Sequence, residues 1–192
     1  MKRLVLNIIG FFAVLSLSSC GYNSMVKLDE QVTSQWAQVE NVYQRRADLI
    51  PSLVNSVKGA ANFEKETLTQ VIEARAKATS VNVDPTKLTP ESIAQFQAAQ
   101  GAISQSLGRL LATVEAYPEL KANQNFLELQ AQLEGSENRI TVERQKFNSV
   151  TQEYNSSIRT FPNNLTAGMF GFKTKGYFQA EAGANKAPKV EF

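Results

Sequence analysis

Past residue 24, apolar residues return at steps of three and four, the signature of helices that bury one stripe. Met25, Leu28, Val32, Trp36, Val39, Tyr43, Ile50, Leu53, Val54 and Val57 mark a first helical segment over about residues 24–61. Pro51 falls within it. Proline lacks a donor and crowds the preceding turn, so a kink or a break into two helices is expected over residues 49–52. A second helix is expected from a cap at Asn62 to Ser80, with Leu68, Val71, Ile72 and Arg75 on one face. Asn82 and Asp84-Pro85 place a loop at residues 81–88. Thr89-Pro90-Glu91 then supplies a hydroxyl cap, proline at the first helical position and an acid in the first turn. The third helix carries Ile93, Phe96, Ile103, Leu107, Leu110, Leu111 and Val114, and Tyr117-Pro118 interrupts it. The fourth, over residues 120–160, repeats nearly in heptads through Phe126, Leu129, Leu133, Ile140, Phe147, Val150, Tyr154 and Ile158. It makes a rod on the order of 60 Å long. No strand-like alternation of any length appears before residue 160. The expected fold is all-α: a long antiparallel bundle of about four helices, kinked near Pro51.

Phe161-Pro162 ends the helical pattern. Residues 163–178 form an irregular aromatic segment in which Leu165, Met169, Phe170, Phe172, Tyr177 and Phe178 are set among Gly168, Gly171 and Gly176. The simpler reading is a closing loop that caps one end of the bundle. The sharper one is a docking strip of Phe170, Phe172, Tyr177 and Phe178 for a partner or membrane surface. Residues 179–192 are small, polar or charged, and a flexible tail is expected there.

The amino terminus has a different pattern. Lys2 and Arg3 precede an apolar run over residues 4–17, broken only by Asn7 and Ser16. A positive start, an apolar run and small residues before a cut describe a secretory signal. The run is shorter than the roughly 20 residues of a spanning helix. Leu17-Ser18-Ser19-Cys20-Gly21 resembles a bacterial lipobox, in which lipid is joined to the cysteine thiol and the chain is cut just before it. The expected organisation is a signal peptide at 1–19, lipidated Cys20 with a short tether to 23, a bundle at 24–178 and a tail at 179–192. Two or more acyl chains, of the palmitate kind, anchor stably because each buried methylene adds about 0.8 kcal/mol. Gly21 rather than aspartate follows the cysteine, which points to outer-membrane sorting. The alternative is an uncleaved single-pass anchor in the cell membrane.

Composition removes most chemistry. The chain of 192 residues has no histidine and one cysteine. Imidazole catalysis, histidine metal ligands and an intramolecular disulfide are therefore excluded. A net charge of +2 with interspersed signs gives no nucleic-acid footprint. A hydrophobic content of 43 % suffices for a core. No catalytic, metal or cofactor site is expected.

The run at residues 41–58, Asn-Val-Tyr-Gln-Arg-Arg-Ala-Asp-Leu-Ile-Pro-Ser-Leu-Val continuing to Val57-Lys58, resembles the LemA family. So do Glu73-Ala74-Arg75-Ala76, Tyr117-Pro118-Glu119-Leu120-Lys121-Ala122-Asn123 and Glu137-Asn138-Arg139-Ile140. Phe161-Pro162, Ala167-Gly168, Phe170-Gly171-Phe172 and Tyr177-Phe178 continue the match. The resemblance implies a bacterial, helical protein anchored near its amino terminus, with no established enzymatic activity. Many members carry an uncleaved transmembrane helix there, and the lipobox departs from that pattern. A membrane-protein partner with a TPM-type domain is implied as well.

Among polar residues, Arg45, Arg46 and Asp48 lie together on the first helix. Arg45 and Arg46 point about 100° apart, so one can pair with an acid on another helix while the other faces solvent. Arg75 lies on the second helix. Glu137, Arg139, Glu143 and Arg144 offer partners on the fourth, and Glu143 falls close to the apolar stripe. The plain reading is an inter-helix ion pair that fixes register. The functional one is an anion or headgroup site built on arginine forks. The leading expectation is thus a membrane-tethered, non-enzymatic scaffold or adaptor of the cell envelope. A binding module for an anionic ligand or lipid headgroup is second, and an envelope enzyme last.

Overall fold

The computed structural model of the chain describes the backbone of residues 2–59 and 63–180, and side chains from Gly21 onward within those ranges. Six helices follow in order: α1 (Lys2–Lys58), α2 (Lys65–Ser80), α3 (Pro90–Val114), α4 (Pro118–Lys121), α5 (Gln124–Arg159) and α6 (Asn163–Phe170). No strand occurs among the described residues. The architecture is an all-α antiparallel bundle. α1 packs along α5, and α2 along α3. Contacts from α1 to α5 step in opposite directions, Gln35 to Glu143 and Arg46 to Glu137.

The local chemistry accounts for most boundaries. Thr89 caps α3, its hydroxyl accepting from the Ser92 N–H, with Pro90 at the first helical position. Asn123 caps α5, its side-chain oxygen accepting from the N–H groups of Asn125 and Phe126. That cap separates the one-turn α4 from α5, so the last long helix begins at Gln124 rather than at residue 120. The short turn buries Leu120, and the restart buries Phe126. The start expected at Asn62 lies outside the described residues, and α2 begins at Lys65.

Pro51 does not break α1, which runs unbroken to Lys58. Proline leaves the carbonyl four residues earlier, on Ala47, without its helical donor. Arg75 of α2 supplies the replacement, with Nε donating to the Ala47 oxygen at 2.7 Å. A neighbouring helix therefore completes the ladder that the proline interrupts.

The buried side chains divide into two clusters along the bundle. The distal cluster is mainly aliphatic, with Ile50, Leu53 and Val57 of α1 meeting Val71 of α2, Ile103 and Leu110 of α3, and Leu133 of α5. The proximal cluster, toward the amino terminus of α1, is rich in rings: Trp36, Tyr43, Phe96, Phe147, Tyr154 and Phe178. Each fully buried apolar side chain contributes roughly 1.5–3 kcal/mol. An exposed ion pair such as Lys121–Glu115 contributes about 1 kcal/mol or less. The stripes, not the surface charges, hold the helices together.

The carboxyl-terminal region departs from expectation twice. Residues 163–170 are helical as α6, ended by Gly171 in the left-handed conformation with φ 76°. Ala167 is the residue that anchors α6 to the core. The extended residues 172–180 do not cap an end of the bundle. They run back along its side as a strap over the proximal cluster, in the seam between α3 and α5.

Candidate functional site

The helical stripes each carry a polar interruption at the same level. On α1 Arg46 lies between Tyr43 and Ile50; on α3 Gln100 lies between Phe96 and Ile103; on α5 Ser136 and Glu137 lie between Leu133 and Ile140. The three helices bring these positions together. Arg46 is 1 % exposed. Its Nη1 donates to Glu137 Oε1 at 2.6 Å and to Ser104 Oγ at 2.9 Å. Its Nη2 donates to the Gln100 side-chain oxygen at 2.8 Å and to the Gln100 carbonyl at 3.1 Å. Ser104 also donates to Glu137 Oε1 at 3.0 Å. The guanidinium carbon lies 5.1 Å from the Tyr43 ring centre. This layer separates the aliphatic cluster from the aromatic one.

Beside it, a groove of about 1130 Å³ opens between α3, α5 and the strap. Its polar groups largely hold the chain itself. Asn155 accepts from the Lys175 N–H at 2.8 Å and donates to the Lys175 carbonyl at 2.9 Å. Earlier on α5 and outside the groove lining, Asn148 does the same for Phe178, at 2.9 and 2.8 Å. Gln97 of α3 does so for Gln179, at 3.1 and 2.8 Å, and Arg144 also donates to the Gln179 carbonyl. A carboxamide presents one donor and one acceptor, so it pairs with an extended backbone as a neighbouring strand would. Phe178 then enters the core. It stacks on Trp36 with centres 6.0 Å apart, meets Phe147 at 5.5 Å, and lies under the Arg144 guanidinium at 5.0 Å. Gly176 passes α3 so closely that a Cβ would lie 2.7 Å from Pro90 Cα.

One more pair ties the strap to α1. Lys175 is buried, and its Nζ lies 2.7 Å from Asp29 Oδ1. Tyr154 OH donates to the Lys173 carbonyl at 2.9 Å. Burial, with Asp29 close by, pushes the Tyr154 phenol up to about 12.

The residues singled out from the sequence fall in different places. Arg46 and Glu137 meet, while Arg45 and Arg139 face solvent. Asp48 is exposed and accepts from Gln44, one turn earlier. Arg75 serves the Ala47 carbonyl. Glu143 pairs with Lys146 and accepts from Gln35, contacts that hold its carboxyl below the usual range. Of the aromatic strip, Phe178 is buried, Phe172 is half-buried, and Phe170 and Tyr177 are exposed. The Cys20 side chain lies outside the described residues. The sequence reading missed Gln97, Asn148 and Asn155. Its available signal was the seven-residue spacing of Asn148 and Asn155, which keeps both on one flank of the α5 stripe.

Among the described residues, no group of acids or cysteine is placed to hold a metal ion. No described helix is long and apolar enough to cross a membrane.

Comparison with known proteins matches this architecture to one family. Residues 35–192 match the LemA family. The chain is 25 % identical to "Protein LemA" of Metamycoplasma hominis, over 82 % of this chain and 68 % of that protein. It is 27 % identical to "Magnetosome protein MamQ 2" of Paramagnetospirillum magneticum, over 91 % of this chain and 70 % of that protein. "Magnetosome protein MamQ" of Magnetospirillum gryphiswaldense is 26 % identical, over 91 % and 69 %. From the segments quoted for the resemblance, Arg46 and Glu137 meet in the polar layer, and Phe178 is the strap residue that enters the core. With the family match spanning most of the length, the chain belongs to the LemA family.

Proposed function

We propose that this protein is a membrane-tethered, non-enzymatic scaffold or adaptor of the bacterial cell envelope, held by lipid on Cys20. The observation that carries this reading is how the groove beside the Arg46 layer and the strap contacts next to it spend their polar groups. Arg46 and Glu137 pair with each other, and Gln97, Asn148, Asn155 and Arg144 bind the backbone of the strap. Most of these polar groups are thus engaged by the chain itself, which favours a structural bundle over a catalytic cleft. The lipobox-like run at residues 17–21 and the short distance from Cys20 to the first buried residue, Met25, support a tether close to the bilayer. Gly21, in place of aspartate, favours outer-membrane sorting over retention in the inner membrane. A membrane protein with a TPM-type domain is the proposed kind of partner.

The anionic-ligand alternative loses Arg46, which Glu137 neutralises, and keeps solvent-facing Arg45 as its candidate, with Arg75 already donating to a backbone carbonyl. Crosslinking in intact host membranes tests the proposal. A specific protein captured through the bundle supports it, whereas repeated absence of a partner together with substrate turnover overturns it. Mass spectrometry of the mature amino terminus checks the tether: acylated Cys20 is expected, and an intact Met1 would replace lipid by an uncleaved helix.

A further inference from the structure

Helix α6 and the turn before it carry an apolar face that no described residue covers. Phe161, Leu165 and Met169 recur every fourth residue and are 75 %, 62 % and 82 % exposed. Phe170, 61 % exposed, extends the patch toward Tyr22 of α1, with ring centres 4.8 Å apart. Single exposed apolar residues are ordinary, but a contiguous patch of large ones marks a contact surface. Only the other face, through Ala167, is used by the core.

The position of this patch selects its occupant. The amino end of α6 packs where α1 passes Gly21: a Cβ there would lie 2.5 Å from Asn163 Oδ1. Gly21 follows Cys20 directly, and α1 continues back into the apolar run at residues 4–17. Whether the chain is held by acyl chains at residue 20 or by the uncleaved apolar run, the bilayer surface therefore lies beside α6. The charge pattern agrees. Residues 154–180 contain no aspartate or glutamate, nor do residues 21–28, while Arg159, Lys173 and Lys27 are exposed near them. A basic, acid-free rim around an apolar face suits an anionic lipid interface.

We infer that α6 is a membrane foot: Phe161, Leu165, Met169 and Phe170 insert at the headgroup boundary and set the bundle's orientation on the bilayer. The inference rests on the proposed tether and adds a second point of attachment. Two points fix an orientation where a single flexible tether does not. The four side chains are already outside the core, so insertion needs no unfolding.

The test uses the full chain reconstituted in vesicles of phosphatidylethanolamine and phosphatidylglycerol whose acyl chains are brominated, a short-range quencher of tryptophan. Met169→Trp places a reporter on the foot. Glu119→Trp places one at the opposite end of the bundle, and buried Trp36 gives a constant background. The expected result is about a twofold loss of the added emission at 169 and essentially none at 119, as for a helix lying in the interface. Adding Phe161→Asp and Leu165→Asp, both at exposed positions, should restore the emission at 169 while circular dichroism and the strap stay unchanged. If the protein floats with the vesicles but 169 is not quenched, the tether stands and the foot is wrong. Crosslinking of residue 169 to a second copy or to another protein, without quenching, overturns the foot in favour of that occupant. Equal quenching at 169 and 119 also defeats it. A chain that does not float with the vesicles defeats both the tether and the foot.

Discussion

The two halves of the bundle solve the same problem with different materials. In the distal half, α1, α2, α3 and α5 meet stripe to stripe, and branched aliphatic side chains fill the space between them. In the proximal half α2 contributes nothing to the buried cluster. The loop residues Val83 and Leu88 and the strap residue Phe178 take its place. The reason is length. α2 has 16 residues, about 24 Å at the usual rise, while α5 has 36. Where the short helix stops, the long ones still have apolar stripes to cover. An extended segment does so only if its backbone groups find partners, and the carboxamides of Gln97, Asn148 and Asn155 supply them. A helix brings its own hydrogen bonds to a core, whereas a strap must borrow them from its neighbours.

The comparison can be broken first at its largest residue. Trp36→Ala should cost about 3–5 kcal/mol, as for other large aromatic truncations. It should also release the strap, because Phe178 stacks directly on the indole. Leu53→Ala should cost about 2–5 kcal/mol and leave the strap in place. Hydrogen exchange over residues 172–180 separates the two: fast in the first variant, unchanged in the second.

The layer between the halves comes next. Arg46→Ala should destabilise by about 3 kcal/mol in chemical denaturation, at the lower end for a broken buried pair because Glu137 can turn to water. Leucine at 46, 100 and 137 together should recover most of that loss if the layer contributes only stability. Persistent loss of a single cooperative transition in the triple variant would instead indicate that the layer sets the register of the helices.

Two smaller effects sharpen the contrast. Asn155→Ala strips both backbone partners from Lys175 and should cost about 2 kcal/mol, with protection lost in the strap and kept in the distal half. Arg75→Ala orphans the Ala47 carbonyl and should cost about 1 kcal/mol. In a Pro51→Ala background residue 51 again has an N–H for that carbonyl, so the cost of Arg75→Ala should shrink. Equal costs in the two backgrounds would sever the link between the proline and the arginine.

The smallest effect is on pH dependence. The Tyr154 phenol titrates at about 12 in the folded chain against an ordinary 10.0. A raised folded value means its contribution is complete below 10.0 and is lost as pH rises toward 12. Denaturation midpoints should fall across that window, and Tyr154→Phe should flatten the fall.

Much of the distal half was legible from residue spacing. Leu53, Val57, Ile103, Leu110 and Leu133 fall where stripes of three and four place them, and Thr89-Pro90 announced its own cap. The polar layer was legible in principle: Arg46, Gln100 and Glu137 each interrupt a stripe, but their shared level depends on how the helices align. The strap was not. Carboxamides on a helix look like solvated surface until the segment they hold is placed beside them. The break allowed at Pro51 does not occur for a related reason, since the group that serves the freed carbonyl sits 24 residues away on another element.

The stacking of Phe178 on Trp36 has a consequence in time. It joins residues 142 positions apart, so the proximal core cannot be finished until Phe178 has been made and released to fold. Contacts of such long sequence separation form late, because the loop between them must be closed before they return any energy. The distal half, whose contacts are more local, has no such delay. A chain built this way keeps its aromatic half open until Phe178 reaches Trp36.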